Sequence, residues 1–196
     1  LQSSETADLF LALIMYRLKD NGRVGVILPD GFLFGNDDAK INLKKRMLNA
    51  FNLHTIIRLP GSIFSPYTSI DTNILFFDKT GPTKQTWFYR RDMPEGYKHF
   101  SKTRPMKLEH FKPVEEWWNN RHEIQDDAGD YKSKAYTPQE LADNNYNFDL
   151  CGFPTETEEV LPPEELMSKY KEERVKLNTK IDQTLSKIKA LLEEED

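Results

Sequence analysis

Few residues of this chain combine the types and spacing that chemistry requires. The four histidines, His54, His99, His110 and His122, are scattered, and no two share a helical turn as a metal pair would. Cys151 is the single cysteine, so neither an internal disulfide nor a cysteine-rich zinc site can form, and no metal is expected. No Gly-x-Ser-x-Gly nucleophile elbow occurs. Three groupings remain. Pro29-Asp30-Gly31 ends an apolar run; it either faces a reaction site at the carboxyl end of a strand or is a plain Asp-Gly turn. Lys40, Lys44, Lys45 and Arg46 form a basic cluster that either contacts phosphate or is a solvated helix face. Arg90-Arg91 and the Lys102 to Arg104 stretch carry the same two readings. The segment Pro60 to Thr72, thirteen residues, is long for a loop of a compact domain. It holds Phe64 and Tyr67, whose simplest role is to plug the loop onto the fold. The pair Trp117-Trp118 points about 100° apart on a helix, which suits one buried ring and one at a partner surface.

Composition sets the bounds for these groupings. The chain has 196 residues, 38% hydrophobic and 30% charged, enough for a modest core with much solvated surface. Its 27 basic and 32 acidic side chains give a net charge of -5, which argues mildly against a chain that binds nucleic acid by charge alone. The apolar stretch Leu9 to Tyr16 is far short of the roughly 18 residues a membrane span needs, and it has no leader-like cleavage pattern. A reducing, cytoplasmic setting is expected.

The elements that must position these residues follow from periodicity. Ser4 to Asp20 reads as a helix with Ser3 or Ser4 as cap, Glu5 and Asp8 at its positive end and Gly22 beyond its last turn. It is apolar nearly all round, so burial on more than one side is expected. Arg23 to Leu28 reads as a strand inside a parallel sheet, Asp37 to Phe51 as a helix, and His54 to Leu59 as a second strand. Asn73 to Asp78 follows with no intervening helix, so it should run antiparallel to the second strand. Thr86 to Arg90 is a fourth strand. Residues 91–135 offer one helix, Val114 to Ile124, and Thr137-Pro138 starts a helical turn. An acidic linker, 155–163, leads to a polar helix from Glu164 onward. Met167, Ile181 and Ile188 fall on one heptad seam, and Tyr170, Leu177 and Leu191 on the other, with Arg174 and Thr184 interrupting.

Four segments carry a resemblance. They are Gly25-Val26-Ile27-Leu28-Pro29-Asp30-Gly31-Phe32-Leu33-Phe34, Asn52 through Pro60 (NLHTIIRLP), Phe64 through Phe77 (FSPYTSIDTNILFF) and Asn144 through Leu150 (NNYNFDL). Together, and ahead of a coiled terminal helix, they resemble the modification subunit of type I restriction–modification systems, an N6-adenine DNA methyltransferase family. The resemblance implies an α/β fold, the C-terminal half of a Rossmann-like class I methyltransferase sheet whose last strand is antiparallel, with this chain supplying strands five to seven. It implies a division into 1–90, the C-terminal half of the catalytic domain; 91–154, an irregular and helical extension; 155–163, a linker; and 164–196, a helix for subunit assembly.

The resemblance also implies S-adenosylmethionine as cofactor. The family's Gly-rich cofactor loop and Asn-Pro-Pro-Phe motif are absent here: no Gly-x-Gly occurs, and the one Pro-Pro pair is Pro162-Pro163 in the acidic linker. Both motifs are expected upstream of Leu1, so the chain alone is expected to be inactive, with no catalytic residue of its own. An adenine must leave the duplex stack before its amino group can be methylated. In related methyltransferases an aromatic residue of the loop matching Pro60 to Thr72 stacks on that base, which makes Phe64 or Tyr67 the candidate. The implied partners are double-stranded DNA, a specificity subunit packed on the terminal helix, a second modification subunit and a nuclease subunit, with no membrane. Two rival readings are a non-catalytic α/β scaffold using its coiled helix, and half of a nicotinamide dehydrogenase, which suits the α/β pattern but not the four segments.

Overall fold

A computed structural model describes residues 3, 5–154 and 163–193. The chain divides into two compact units, residues 1–154 and 155–196.

The first unit is built on a mixed sheet. Its strands are β1 (Arg23–Pro29), β2 (Asn52–Arg58), β3 (Thr72–Asp78), β4 (Thr86–Arg90), β5 (Ile124–Gln125) and β6 (Tyr131–Tyr136), in the order β1-β3-β2-β4-β6-β5. β3 lies between β1 and β2 and is antiparallel to both. The antiparallel return inferred from the missing helix is therefore present. β1 departs from expectation: it is not inside a parallel sheet but has one neighbour, antiparallel β3, and every second residue is exposed. Its apolar run Val-Gly-Val-Ile-Leu looked like an interior strand because one side of β1 has no partner among the described residues. β2 is the buried centre, flanked by β3 and by parallel β4.

Helices α1 (Thr6–Arg17) and α3 (Asp38–Ala50) cover one face. Leu11, Met15, Phe32, Met47 and Leu48 pack there against Leu53, Leu75, Phe77 and Phe88 of the sheet. Burying each such side chain contributes roughly 1.5–3 kcal/mol. On the opposite face α4 (Lys112–Asn119) sets Val114 and Trp117 on Ile57 and Tyr89. The tryptophan pair divides as its 100° offset requires: Trp117 is buried and donates Nε1–H to the His122 carbonyl at 3.0 Å, while Trp118 is half-buried beside Phe76.

Several boundaries move for physical reasons. α1 begins at Thr6 with Glu5 as cap, and the Ser3 hydroxyl instead accepts from Glu5 N–H at 3.1 Å and donates to Asp8 at 2.8 Å. It ends at Arg17, and the left-handed residue beyond it is Asn21 (φ 59°), not Gly22. Only one side of α1 is covered: Leu9, Phe10, Leu13 and Tyr16 are 46–75% exposed, against the expected burial on more than one side. α4 stops at Asn119, so that Ile124 can join β5 to β6. β5 and β6 bring residues 91–154 into the same sheet; the alternation Tyr-Lys-Ser-Lys-Ala-Tyr of β6 is too polar to stand out as a strand. Pro29-Asp30-Gly31 turns directly into a short helix, α2 (Asp30–Phe34). Thr137 does open a helix, α5 (Pro138–Asp143), through a reciprocal capping box with Glu140.

The second unit is one helix, α6 (Pro163–Glu193). Met167, Tyr170, Leu177, Ile181 and Ile188 are all exposed on it. The Leu191 side chain and the linker 155–162 lie outside the described residues.

Candidate functional site at the carboxyl edge of the sheet

The ends of β1 and β2 and the start of β3 meet at one edge, and the loop 59–71 rises from it. Both ends of that loop are fixed. Leu59 N–H donates to the Thr72 carbonyl at 3.2 Å, and Asp30 N–H donates to the Asp71 carbonyl at 2.8 Å. The structure thereby brings together two groupings the sequence kept apart, Pro29-Asp30-Gly31 and the aromatic loop. Phe64 is 37% exposed and Tyr67 86% exposed. The loop is thus not plugged onto the sheet by Tyr67, and Phe64 is only partly inserted.

Beneath the loop lies a charged network. Arg58, the last residue of β2, is 4% exposed. Its Nη2 donates to Asp30 Oδ1 at 2.9 Å, and its Nη1 donates to Asp149 Oδ1 at 2.6 Å and to the Leu150 carbonyl at 3.2 Å. Asn73 Nδ2 completes the set by donating to the same Asp30 oxygen at 3.0 Å. A guanidinium can bridge two carboxylates because its five N–H groups point in fixed directions. Arg90, at the end of β4, is equally committed: it bonds Asp92, Asp126 and the Gly152 carbonyl at 2.7–2.8 Å. Arg91 donates from Nε to the His110 carbonyl at 2.7 Å. The exposed phosphate contact weighed for Arg90-Arg91 is therefore corrected: both side chains are internal clamps, 2% and 8% exposed.

Arg58 and Arg90 hold a strap, residues 144–152. Asn145, Tyr146 and Cys151 adopt left-handed backbone (φ 50–56°), a conformation that costs non-glycine residues of order 1 kcal/mol each and persists only where the surroundings fix it. Phe148 does the fixing: it is fully buried, and its N–H donates to the Leu33 carbonyl at 2.9 Å. Burial pushes the Cys151 thiol up to about 11, so it is not a reactive thiolate near neutral pH.

Two members of the Lys40, Lys44, Lys45 and Arg46 cluster also turn inward, a second correction. Lys40 is 3% exposed and reaches Glu5, Asp8 and Asp37 at 2.8–3.2 Å. Burial opposes its charge, but the hydrogen bonds it donates to those carboxylates outweigh it and raise its pKa. Lys44 is wholly buried: its Nζ donates to the Leu33 and Gly35 carbonyls at 2.7 and 2.9 Å and lies over the rings of Phe32 and Phe148. Neither can reach phosphate. Lys45 and Arg46 remain exposed.

Lys44 has a measurable consequence. Desolvation lowers its pKa to about 8, whereas an unfolded lysine titrates near 10.4. Between those values the unfolded chain holds a proton that the folded chain has released, so this group makes stability rise with pH across the window. Lys44→Met is expected to remove that rise, a difference of about 1–3 kcal/mol between pH 8 and 10.5. Denaturant melts of both proteins across the window measure it, and parallel curves would refute the assignment.

Among the described residues, no group of three His, Cys, Asp or Glu side chains could hold a metal ion. No helix among them is long and apolar enough to cross a membrane. Residues 1–160 match the model of the family described as N-6 DNA Methylase.

The chain belongs to the N-6 DNA methylase family.

Relatives in this family refine the picture. The chain is 42% identical over 185 residues to the type I restriction enzyme EcoEI methylase subunit of Escherichia coli, an alignment covering 90% of this chain and 36% of that protein. It resembles the modification subunit of a putative type I restriction enzyme from Vibrio vulnificus YJ016, with TM-score 0.65 and 41% identity over 71% of this chain and 29% of that one. A structure from a study of type I R-M system complex assembly matches with TM-score 0.68 and 31% identity, covering 100% of this chain and 41% of its own. The chain thus spans about a third of the length of that EcoEI methylase subunit. Within this N-6 DNA methylase chain, sequence reasoning missed Arg58 and Asn73 and the buried roles of Lys44 and Asp149. One signal was available: a charged residue closing the apolar strand Leu53–Arg58 must have a buried partner.

Proposed function

We propose that this chain is the C-terminal part of an adenine-specific DNA methyltransferase, the modification subunit of a type I restriction–modification system. Such an enzyme moves a methyl group from S-adenosylmethionine to N6 of adenine in a specific sequence. The observation that carries the reading is the extensive match to a type I methylase subunit, joined to an aromatic loop standing at the carboxyl edge of the sheet. On this reading residues 1–90 are half of a catalytic domain, 91–154 its extension, 155–163 a linker and 164–196 an assembly helix. Phe64 or Tyr67 stacks on the extruded adenine, Pro29-Asp30-Gly31 borders the site, and Lys45 and Arg46 remain available to the DNA backbone.

The residues in hand do not make a cofactor site. Asp30 and Asp149 at the edge both engage Arg58, and the chain's nine glycines include no Gly-x-Gly cradle. On this reading the cofactor is held mainly by residues upstream of Leu1. The heptad positions Met167, Tyr170, Leu177, Ile181, Ile188 and Leu191 are assigned to a coiled contact with a specificity subunit; a short isolated heptad helix is marginal in water, which favours a partner. Duplex DNA, a second modification subunit and a nuclease subunit complete the expected assembly, in the cytoplasm. Calorimetric titration of S-adenosylmethionine into this chain and into a version extended upstream tests the reading. Silence here with binding by the longer protein is expected; binding by this chain alone would overturn the division of labour.

A further inference from the structure

A chain of net charge -5 that acts on DNA must present its positive charge locally. Most of the arginines and lysines near the edge are spent: Lys40, Lys44, Arg58, Arg90 and Arg91 are buried in internal bonds. One segment differs. Between Glu95 and Glu109 there is no acidic residue, while Lys98, His99, Lys102, Arg104 and Lys107 all occur there and are all exposed. Among the described residues, Lys98, Lys102 and Arg104 have no carboxylate within ion-pair distance; Lys107 reaches Glu109 at 3.6 Å.

The segment is anchored to the aromatic loop. Phe100 is 1% exposed, and its N–H donates to Ser62 Oγ, inside loop 59–71, at 2.8 Å. Phe100 packs on Tyr97 and His110, with ring centroids 5.4 and 5.9 Å away. The guanidinium of Arg104 stands 3.7 Å from the centre of the Tyr97 ring. Ser101 and Arg104 exchange backbone hydrogen bonds of 3.1 Å, which close the turn between them. Lys102 and Arg104 thus sit on this turn and Lys98 just before Phe100, which ties the segment to the loop that carries Phe64 and Tyr67. Charges held in this way contact phosphates and fix the register of a duplex without reading its sequence.

We infer that Lys98, Lys102 and Arg104 form a phosphodiester-binding strip that holds the DNA backbone flanking the target base. This rests on the methyltransferase reading above and adds to it a binding surface outside the loop itself. The test uses the complete modification complex and the triple variant Lys98→Ala, Lys102→Ala, Arg104→Ala. Binding of a duplex carrying the recognition sequence and of a scrambled duplex is measured between about 50 and 200 mM salt. Each lost phosphate contact flattens the slope of log K against log salt by about 0.9, so a change of roughly 2–3 is expected. Affinity should fall about equally for both duplexes, leaving their ratio unchanged. An unchanged slope, in a variant that melts at the wild-type temperature, overturns the strip. Loss of a subunit from the complex at unchanged slope also overturns it and assigns the strip to an acidic protein partner. Methylation by the wild-type complex is scored separately: its absence would sink the enzyme reading, whereas methylation with an unchanged slope sinks only the strip.

Discussion

Alanine at Tyr67, and separately at Phe64, is expected to leave at least one complete enzyme crippled in methylating duplex DNA. The reason is geometric. The loop is pinned at both ends, by Leu59 to Thr72 and by Asp30 to Asp71, so its tip is presented and not free to wander. Tyr67 at 86% exposure touches little of its own protein, so truncating it removes almost no folding energy. What it would remove is stacking on an unpaired base, about 1–3 kcal/mol, or roughly 5- to 150-fold in rate if the contact is made in the transition state. Single-turnover methylation measures the loss. A duplex with the target adenine replaced by an abasic or fluorescent analogue separates failure to hold the base from failure to bind. Normal rates from both alanine variants would end the assignment of this loop.

The second large effect is on stability. Arg58→Met leaves Asp30 and Asp149 without the cation that joins them. Breaking a buried pair by removing one partner costs about 3–5 kcal/mol. Here the carboxylates are partly solvated, at 26% and 42% side-chain exposure, so a smaller cost, about 2–3 kcal/mol, is expected. The loss should be local. Amide exchange at Phe148 and Leu150 in the strap should accelerate on the order of 10- to 100-fold, while the Leu75 and Phe77 amides of β3 change little. Arg58→Lys should recover only part, because an ammonium cannot serve two carboxylates and a carbonyl in one plane. Uniform acceleration throughout the sheet would mean that Arg58 supports the whole fold and does not clamp the strap.

The parts legible in the sequence were those fixed by local rules. Strands β2, β3 and β4 announced themselves as apolar runs between turn residues, and the antiparallel return of β3 followed from the lack of a crossover helix. Thr137-Pro138 marked a helix start, which Glu140 completes as a capping box. What was hidden depends on partners distant in the chain. Nothing about Lys40 or Lys44 distinguishes them from Lys45 until the carboxylates of Glu5 and Asp8 and the carbonyls of Leu33 and Gly35 are placed around them. Arg58 and Asp149 are 91 positions apart. β6 was missed because a half-polar strand beside a sheet carries no periodicity stronger than that of a loop.

The unpaired side of β1 bears on how this polypeptide behaves in a test tube. Among the described residues a row of open N–H and C=O groups lies beside half-exposed Ile27, and α1 shows Leu9, Phe10, Leu13 and Tyr16 to solvent; such a strand side is a template for another chain's edge. Produced alone, the polypeptide is expected to self-associate and precipitate as its concentration rises. On the proposed reading, a version extended upstream should instead give a monodisperse species, and light scattering of the two preparations would make the comparison.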